Sequence, residues 1–470
     1  MLGKLICDEN KSLKDALDVL NANGKGMAFI VGSGSDRKLR GVLSDGDIRR
    51  LILAGHSLSS KIGELIKKDY VYAKKGEPYS ALLAKTNDSV KIIPIVNDCF
   101  EVVDYFEYNA EIRAQVAAPD LRGHELKYLT DAFLSTWISS KGEYIERFEA
   151  GFSRFCDCEH GVAVSNGTVS LHLALLALGI GAGDEVIVPD LTFAATINTV
   201  LHANAIPVIV DIEKDSWCID PAEIEKAITS KTKAIIPVHL YGQPADMGAI
   251  MKIARKHKLF VIEDCAEAHG AEFAGKKVSS FGDIGCFSFF GNKIITTGEG
   301  GMCVTNSKEL AEKMRLLRDH GMSKSKKYHH EIIGYNYRLT NLQAAIGVAQ
   351  LERIDEILAG RKKIEEVYKS VLSGNDIIEF QRNDLAERKK ITWLVSVLVK
   401  NGRRDYYIDK MREQSLESRP FFYPLSEMDL YKKHVFSSKV SQAISGQGIN
   451  FPSSFSVDRQ VIEKIGHILK

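Results

Sequence analysis

The sequence lacks an excess of charge, a regular cysteine spacing and a long apolar run. Its 62 basic and 61 acidic residues leave a formal charge of +1 over 470 residues, so the composition indicates no attraction to nucleic acid or to an anionic membrane. No apolar run approaches the ~20 residues that a membrane span needs, and residues 1–11 are too polar for a secretory signal. We therefore expect a protein that works in solution, without nucleic acid or a membrane as its partner.

The eight cysteines are scattered, and none forms a C-x-x-C pair. This distribution favours neither a disulfide framework nor a zinc site, and it is typical of the reducing cytoplasm. Cys156 and Cys158 are interpreted as thiols of a turn, and His329 and His330 as solvated loop residues, because neither pair has the spacing of metal ligands. No metal site is expected.

The first 110 residues contain one small pattern twice. In the first copy an amphipathic helix over 12–23 is followed by two strands, and the second strand leads into Ser44. The pattern recurs about 65 residues further on, with a shorter turn between its strands. The repeated strands are 27–31 and 41–43 in the first copy and 92–96 and 101–103 in the second.

This repeat resembles a pair of CBS modules, a family that commonly binds adenine nucleotides. In that family a hydroxyl residue followed three positions later by aspartate contacts phosphate and ribose, and Ser44 with Asp47 fits this pattern. In the second copy Asp104 takes the place of the hydroxyl and would repel a phosphate. We expect one nucleotide site at most. A degenerate pair that only packs or mediates assembly is the alternative.

A joint near 105–118 separates this pair from a different pattern. Beyond it, apolar strands alternate with helical stretches, which is typical of a mostly parallel α/β sheet with crossover helices. A charged helix over 351–372 leads to a final segment with one strand-like and one helix-like run. We predict three parts, which are the CBS-like pair at 1–112, a large domain at 113–360 and a small α+β domain at 361–470.

Three predicted strands end in segments with ligand-binding chemistry, and loops beyond strand carboxyl ends gather at the ligand crevice of open α/β sheets. The first segment is Ser-Asn-Gly-Thr at 165–168, which leads into a helix. Gly167 lets the backbone approach a ligand, Thr168 adds a hydroxyl, and the free N–H groups of the helix favour a phosphate. The same residues also suit an ordinary turn and helix cap.

The other two strand ends supply a carboxylate and a lysine. Asp264 ends an apolar strand, and a carboxylate buried there needs a cationic or donor partner such as a protonated heteroaromatic nitrogen. A single lysine is usually a solvated surface charge, but the aromatic and glycine-rich neighbours of Lys293 favour a partly desolvated amine suited to Schiff-base chemistry. Phosphate cradle, aspartate and lysine together indicate pyridoxal phosphate, with Ser288 at the phosphate and Phe193 stacked on the ring.

Six motifs look like those of the DegT-type sugar-nucleotide aminotransferases. They are PDL at 119–121, SNGT at 165–168, PDLTFAAT at 189–196, HLYGQ at 239–243, EDCAEAHG at 263–270 and GYNYR at 334–338. The resemblance covers the chain from about 116 to 470, and the stretch 287–302 is most similar to the GDP-perosamine synthase branch. It implies a pyridoxal-phosphate-dependent transferase of fold type I and a homodimer or higher homo-oligomer.

The resemblance also implies roles for individual residues. Lys293 would bond covalently to the cofactor, Asp264 would pair with its ring nitrogen, Glu267 would lie near its 3-oxygen and Ser288 would bind its phosphate. Asn336 would reach the phosphate of the other subunit, which makes the dimer obligatory. Relatives that dehydrate a keto sugar carry histidine at the lysine position, so the retained lysine favours transamination.

Substrate contacts are less well specified. His320 either contacts the substrate or caps the preceding helix. Arg338 and Arg419 are candidates for the carboxylate of the amino donor or the diphosphate of the sugar. Ser426 stands where many relatives have histidine, which puts the sugar contacts in doubt, whereas Cys265 in place of alanine is a harmless exchange of small residues.

The predicted reaction moves an amino group from glutamate to a keto sugar nucleotide, such as a 4-keto-6-deoxyhexose, for cell-surface polysaccharide synthesis. The alternative is a nucleotide-sensing regulatory protein whose cofactor-binding domain has little or no activity. The sequence leaves open the base of the nucleotide, the stereochemistry of the sugar and the choice between C3 and C4.

Overall fold

The chain forms two compact units, Met1–Ile112 and Arg113–Lys470. The computed structural model describes residues 2–34, 36–66, 69–78, 81–82, 85–86, 90–107 and 114–470. Among the described helices, none is both long and apolar enough to cross a lipid bilayer.

The described part of the first unit contains two three-stranded sheets of the same topology. In each sheet the first and second strands are parallel, and the second and third are antiparallel. The elements are the strands β1 (Ile6–Asp8), β2 (Met27–Val31), β3 (Leu39–Ser44), β4 (Ala73–Lys74), β5 (Ile92–Val96) and β6 (Val102–Glu107), the helices α1 (Leu13–Asn23) and α2 (Asp45–Leu53), and 3-10 turns at Leu2–Leu5 and Ile62–Glu64. The internal repeat is therefore present in the backbone.

The registers of the two hairpins correct the predicted alignment of the second copy. Met27 pairs with Ser44 in the first hairpin, and Ile92 pairs with Glu107 in the second. Glu107, not Asp104, therefore occupies the position of Ser44. The prediction was wrong because it shortened the second turn by too many residues. A carboxylate still stands in the place of the hydroxyl.

The second unit is built on a seven-stranded sheet of order β7-β15-β14-β11-β10-β8-β9, in which only β15 runs antiparallel to its neighbours. These strands are β7 (His160–Val164), β8 (Glu185–Pro189), β9 (Ile206–Val210), β10 (Thr232–Ile235), β11 (Phe260–Asp264), β14 (Ile284–Ser288) and β15 (Gly301–Thr305). The helices that precede, connect or flank them are α3 (Glu125–Leu134), α4 (Glu143–Phe155), α5 (Gly167–Ala177), α6 (Ala195–His202), α7 (Pro221–Ala227), α8 (Met247–His257), α9 (Lys308–Arg318) and α10 (Asn341–Glu352). The mostly parallel α/β sheet is thus as predicted.

This sheet is buried on both faces. Along β8, Ile187 points into one hydrophobic core, while Val186 and Val188 point into the other. Successive side chains of a strand face opposite sides, so an uninterrupted apolar strand needs helices on both faces. The alternating strands and helices of the sequence supply them.

The C-terminal part of the second unit carries a four-stranded antiparallel sheet of order β16-β18-β20-β19. Its apolar core lies between this sheet and three helices. The predicted boundary at residue 360 lies inside one of them, α11. The elements are β16 (Ile378–Phe380), β18 (Val395–Val399), β19 (Arg419–Pro420), β20 (Gly448–Phe451), α11 (Ile354–Val371), α12 (Arg404–Glu413), α13 (Lys439–Gln447) and α14 (Arg459–Ile468). The remaining short elements are a sheet of β12 (Glu272–Phe273), β13 (Lys276–Lys277) and β17 (Arg388–Lys389), and 3-10 turns at Leu240–Gly242, Leu425–Glu427 and Lys432–His434.

Candidate active site

Four parallel strands, β7, β8, β11 and β14, end at one edge of the large sheet, and predicted site residues follow each end. Gly167 begins α5 after β7, Phe193 follows β8, Asp264 is the last residue of β11 and Ser288 is the last residue of β14. The topology therefore brings residues 167 to 288 of the sequence to one crevice, as expected for strand carboxyl ends in an open α/β sheet.

The N-terminus of α5 lies against the end of β14. The side chain of Asn166 caps the helix by accepting from Val169 N at 3.0 Å. A Cβ atom added to Gly167 would lie 2.6 Å from Ser288 Cβ, so only glycine allows this approach. The first N–H groups of a helix have no intrahelical acceptor. The N–H groups of Gly167 and Thr168 together with the Ser288 hydroxyl thus provide donors for a phosphate.

Asp264 is a buried carboxylate with neutral donors only. Its side chain accepts from Thr196 Oγ1 at 2.9 Å and from Ala266 N at 3.2 Å. Among the described residues, no lysine, arginine or histidine forms an ion pair with it. Burial raises the pKa of Asp264 above its ordinary value. A protonated ring nitrogen would supply the missing cationic donor.

Lys293 lies beside a second buried carboxylate. Its Nζ atom is 3.6 Å from Glu267 Oε1, and its side chain is 13% exposed. Glu267 Oε2 accepts from Tyr241 N at 2.9 Å. Burial raises the pKa of Glu267 to about 7, although the neighbouring Lys293 opposes this rise. The lysine is thus largely withdrawn from solvent and has a titratable partner.

Lys293 lies in the loop of the hairpin formed by β14 and β15. Ser288 pairs with Gly301 at the base of the hairpin, and Lys293 N donates to Phe290 O at 2.9 Å within the loop. Because β15 runs against its neighbours, the loop starts and ends at the crevice. The phosphate donors, the aspartate and the lysine are therefore positioned by adjacent strands.

These residues fit pyridoxal phosphate. The donors at the start of α5 suit its phosphate, the unpaired carboxylate of Asp264 suits its protonated ring nitrogen, and Lys293 offers an amine to its aldehyde. Glu267 Oε1 lies 3.6 Å from Lys293 Nζ, and the pKa of Glu267 is lowered by Lys293 and raised by Asp264.

The other predicted site residues lie at the surface or have partners. Phe193 is 59% exposed and its ring centroid is 5.8 Å from that of Phe422. Asn336 is exposed, and its backbone pairs with Asp319. His320 is exposed too and has a φ of 60°.

Both candidate substrate arginines form ion pairs within their own chain. Arg338 pairs with Asp319. Arg419 donates to Glu417 Oε1 at 2.6 and 2.9 Å. A substrate anion would therefore have to compete with these carboxylates.

Ser426 is buried and bound to a carboxylate. Its Oγ atom donates to Asp190 Oδ2 at 2.8 Å and its N–H to Asp190 Oδ1 at 2.7 Å. Ser441 Oγ donates to the same carboxylate. Ser426 thus attaches the C-terminal segment to the end of β8.

In the first unit, Ser44 and Asp47 form the capping box of α2. Ser44 Oγ is 2.6 Å from Asp47 Oδ2, and each side chain accepts from the backbone N–H of the other. Arg50 forms an ion pair with Asp47 at 2.6 Å. Both residues thus already have a structural role as a helix cap.

Sequence reasoning missed three residues that surround the site. Thr196 and Tyr241 occur in recognised motifs, but their contacts depend on the tertiary fold. Tyr241 is wholly buried with a φ of 52°, a conformation that is costly outside glycine and often found at functional sites. The ring of Trp393 lies over Lys293 Nζ, but this tryptophan is 100 positions further along the chain and no local pattern indicated it.

His239, Glu263 and Cys265 offer ligand atoms within 4.8 Å of one another, which suggests a metal site. However, Glu263 accepts from His239 Nε2, and His239 Nδ1 accepts from Ala245 N. The same carboxylate also accepts from the N–H groups of Ser279, Phe281 and Gly282. The group is therefore a satisfied buried network rather than a set of free ligands.

Comparison with known proteins leads to the same family as the sequence motifs. Residues 119–470 match the model of the DegT/DnrJ/EryC1/StrS aminotransferase family. The GDP-perosamine synthase of Caulobacter vibrioides is 46% identical over 360 residues, which cover 75% of this chain and 96% of that protein. The GDP-perosamine synthase of Escherichia coli O157:H7 is 43% identical and covers 74% of this chain and 95% of its own.

Solved structures agree. A putative sugar aminotransferase from Streptococcus pneumoniae in its PMP form has a TM-score of 0.72 and 27% identity, with 76% of this chain and 96% of that chain covered. An aminotransferase from Psychrobacter cryohalolentis has a TM-score of 0.69 and 32% identity over 75% of this chain and 96% of its own. The predicted aminotransferase activity, fold type and pyridoxal phosphate cofactor are thereby confirmed. The chain belongs to the DegT/DnrJ/EryC1/StrS aminotransferase family.

Proposed function

We propose that this aminotransferase moves the amino group of glutamate to C4 of a GDP-linked 4-keto-6-deoxyhexose, as a perosamine synthase does. The observation that carries the proposal is the combination of a buried Asp264 that accepts only from neutral donors with Lys293 beside Glu267 at one sheet edge. The choice of substrate rests on relatives named GDP-perosamine synthase, which are 43–46% identical to this chain.

Each site residue would act on a specific atom. Pyridoxal phosphate, when bound, supplies an electron sink for the substrate carbon. Asp264 would keep its ring nitrogen protonated, and the N–H groups of Gly167 and Thr168 with the Ser288 hydroxyl would hold its phosphate.

Lys293 Nζ would take the proton from the donor carbon and deliver it to the cofactor in the first half-reaction, and it would carry a proton from the cofactor to the sugar carbon in the second. Glu267 lies 3.6 Å from this nitrogen and, with a pKa of about 7, can hold a proton that Lys293 gives up. This arrangement suits proton movement at an atom that is shielded from water.

A homodimer is part of the proposal. The exposed Asn336 makes no side-chain hydrogen bond among the described residues, which suits a residue that acts on a second copy. Large apolar side chains are also exposed on and after α3. They are Leu126, Phe133, Leu134, Trp137 and Ile138. An apolar patch of this kind usually marks an interface.

The first unit, proposed as residues 1–112, is assigned as a CBS-like pair with at most one adenine nucleotide site, at Ser44 and Asp47, and a pair that only packs or mediates assembly is the alternative. Its repeated sheet topology supports this assignment. The two further domains are proposed at 113–360 and 361–470. The free state of all eight cysteines supports a cytoplasmic reaction that feeds O-antigen or another cell-surface polysaccharide.

A panel of GDP- and UDP-linked 4-keto-6-deoxy sugars with glutamate, analysed by mass, tests the function. We expect replacement of the keto oxygen by an amino group on the GDP-linked sugar. UDP must be included, because a UDP-sugar 3-aminotransferase of Acidithiobacillus ferrooxidans is 49% identical over 252 residues. Loss of water instead of amination, or no turnover at all, would contradict the proposal.

A further inference from the structure

Lys293 is covered by an aromatic ring from the C-terminal part of the chain. The ring centroid of Trp393 lies 4.0 Å from Lys293 Nζ, and this tryptophan is only 4% exposed. Its indole N–H donates to Asn292 O at 2.7 Å. Trp393 therefore contacts both the side chain of the lysine and the backbone immediately before it.

Trp393 is itself fixed from two sides. Its carbonyl oxygen accepts from Nη1 of the buried Arg361 at 2.8 Å. Its ring stacks on that of Tyr241, with centroids 6.1 Å apart and planes at 22°. The backbone and the ring of Trp393 thus each have a contact that does not involve the lysine.

Tyr241 also connects the tryptophan to the carboxylate that lies beside the lysine nitrogen. Tyr241 N donates to Glu267 Oε2, and Glu267 Oε1 lies 3.6 Å from Lys293 Nζ. The indole face and the carboxylate both attract an ammonium group. Such attraction is strongest where water is excluded.

We propose that Trp393 is a positioning residue. Its ring holds the Nζ atom of Lys293 at the place where this nitrogen reaches the aldehyde of the cofactor. This inference rests on the role of Lys293 proposed above. Trp393 acts through the lysine and not on the cofactor. Its effect on cofactor binding must therefore disappear when the lysine is removed.

A double-mutant cycle on the full-length, cofactor-free protein tests this. The affinity for pyridoxal phosphate is measured by equilibrium dialysis for the wild type, Trp393→Leu, Lys293→Ala and the double variant. We expect Trp393→Leu to weaken binding about tenfold when Lys293 is present and less than about twofold in the Lys293→Ala background. Equal losses in both backgrounds would overturn the proposal.

Two further variants guard against a folding effect. Trp393→Phe keeps an aromatic face, so it should lose only about threefold in affinity even if the leucine variant does not fold. Trp217→Phe alters another buried tryptophan, which packs against Phe421, and should not change the affinity. A phenylalanine variant of Trp393 that lost as much affinity in the Lys293→Ala background as with the lysine present would contradict the inference.

The role of Lys293 has a separate readout. Borohydride reduction should leave the cofactor covalently attached to wild-type protein and not to Lys293→Ala. Covalent attachment in Lys293→Ala would show that the assignment of the lysine is wrong, whatever Trp393 does. The reduction experiment therefore tests the role of Lys293, and the double-mutant cycle tests the role of Trp393.

Discussion

The two units each contain a strand that runs through a polar cap into a helix, but the helix N-termini differ in what remains free. At the start of α2, Ser44 and Asp47 satisfy each other and Asp47 also binds Arg50. At the start of α5, Asn166 caps the helix, while Gly167 brings the end of β14 within reach.

This difference shows that a polar cap is not by itself a binding site. A capping box uses its donors and acceptors to finish the helix. A site needs a second element that approaches the free N–H groups, and glycine permits that approach at α5. The following predictions test this distinction, beginning with the largest expected effect.

Replacing the active-site lysine should have the largest effect. Lys293→Ala removes the amine that is proposed to bond to the cofactor and to move the proton, so we expect kcat to fall at least about 10³-fold. Turnover is measured with glutamate and the keto sugar nucleotide. Lys362→Ala, a change at an exposed lysine of α11, should leave kcat unchanged. If the kcat of Lys293→Ala were within tenfold of the wild-type value, Lys293 would not be the catalytic lysine.

Asp264→Asn should be the next most severe change. The amide cannot hold a proton on the ring nitrogen, so we expect a loss of about 10²-fold in kcat. The matched control is Asp429→Asn at an exposed position. An unchanged kcat in Asp264→Asn would show that the negative charge of this carboxylate is not needed for catalysis.

The pH dependence of stability should reveal Glu267. The pKa of Glu267 in the folded protein is about 7, above its ordinary value of 4.5, so the native state keeps a proton that the unfolded chain loses in this window. Stability should therefore fall as pH rises from about 4.5 to 7, by up to about 3 kcal/mol from this group.

Urea unfolding of cofactor-free protein at pH 5 and pH 7.5 measures this fall. It should be smaller in Glu267→Gln than in the wild type. The control variant Glu366→Gln alters an exposed carboxylate and should keep the wild-type fall. If the stability of Glu267→Gln and of the wild type depended on pH in the same way, Glu267 would not hold the proton predicted for it in the folded state.

Gly167→Ala tests the close approach directly. The added Cβ would meet Ser288 Cβ at 2.6 Å and separate β14 from the helix, so we expect cofactor affinity to fall about tenfold. Gly446→Ala is the control, because this glycine of α13 has open space around it. Equilibrium dialysis gives both values. Equal affinities would mean that the approach is not needed for the phosphate.

The smallest effect is expected at the cap of the first unit. Ser44→Ala should cost about 1 kcal/mol of stability, with no change in transamination without nucleotide. Melting temperatures with AMP and ATP sharpen the comparison. A rise in the wild type that is lost in Ser44→Ala would make this cap a ligand site as well, and no rise in either protein would leave it a cap only.

Local patterns were enough to predict the sheet and the order of the site segments. Asp264 ends one apolar strand and Lys293 lies in the loop after another, and strand carboxyl ends meet in this class of fold. Trp393 could not be found in this way, because its contact with the lysine exists only after distant segments have packed. The pairing of Glu107 with Ile92 depends on the register of the hairpin, and this register is set by the length of the turn. Comparison of the two sequence repeats assigned the wrong turn length and therefore the wrong partner.

The hairpin of β14 and β15 limits where the lysine can go. Its stem is closed by the pairing of Ser288 with Gly301, directly at the crevice. The backbone on both sides of Lys293 is thus tied to the edge of the sheet. A lysine released from the cofactor would therefore remain at the crevice, and the next proton transfer would not require its return from solvent.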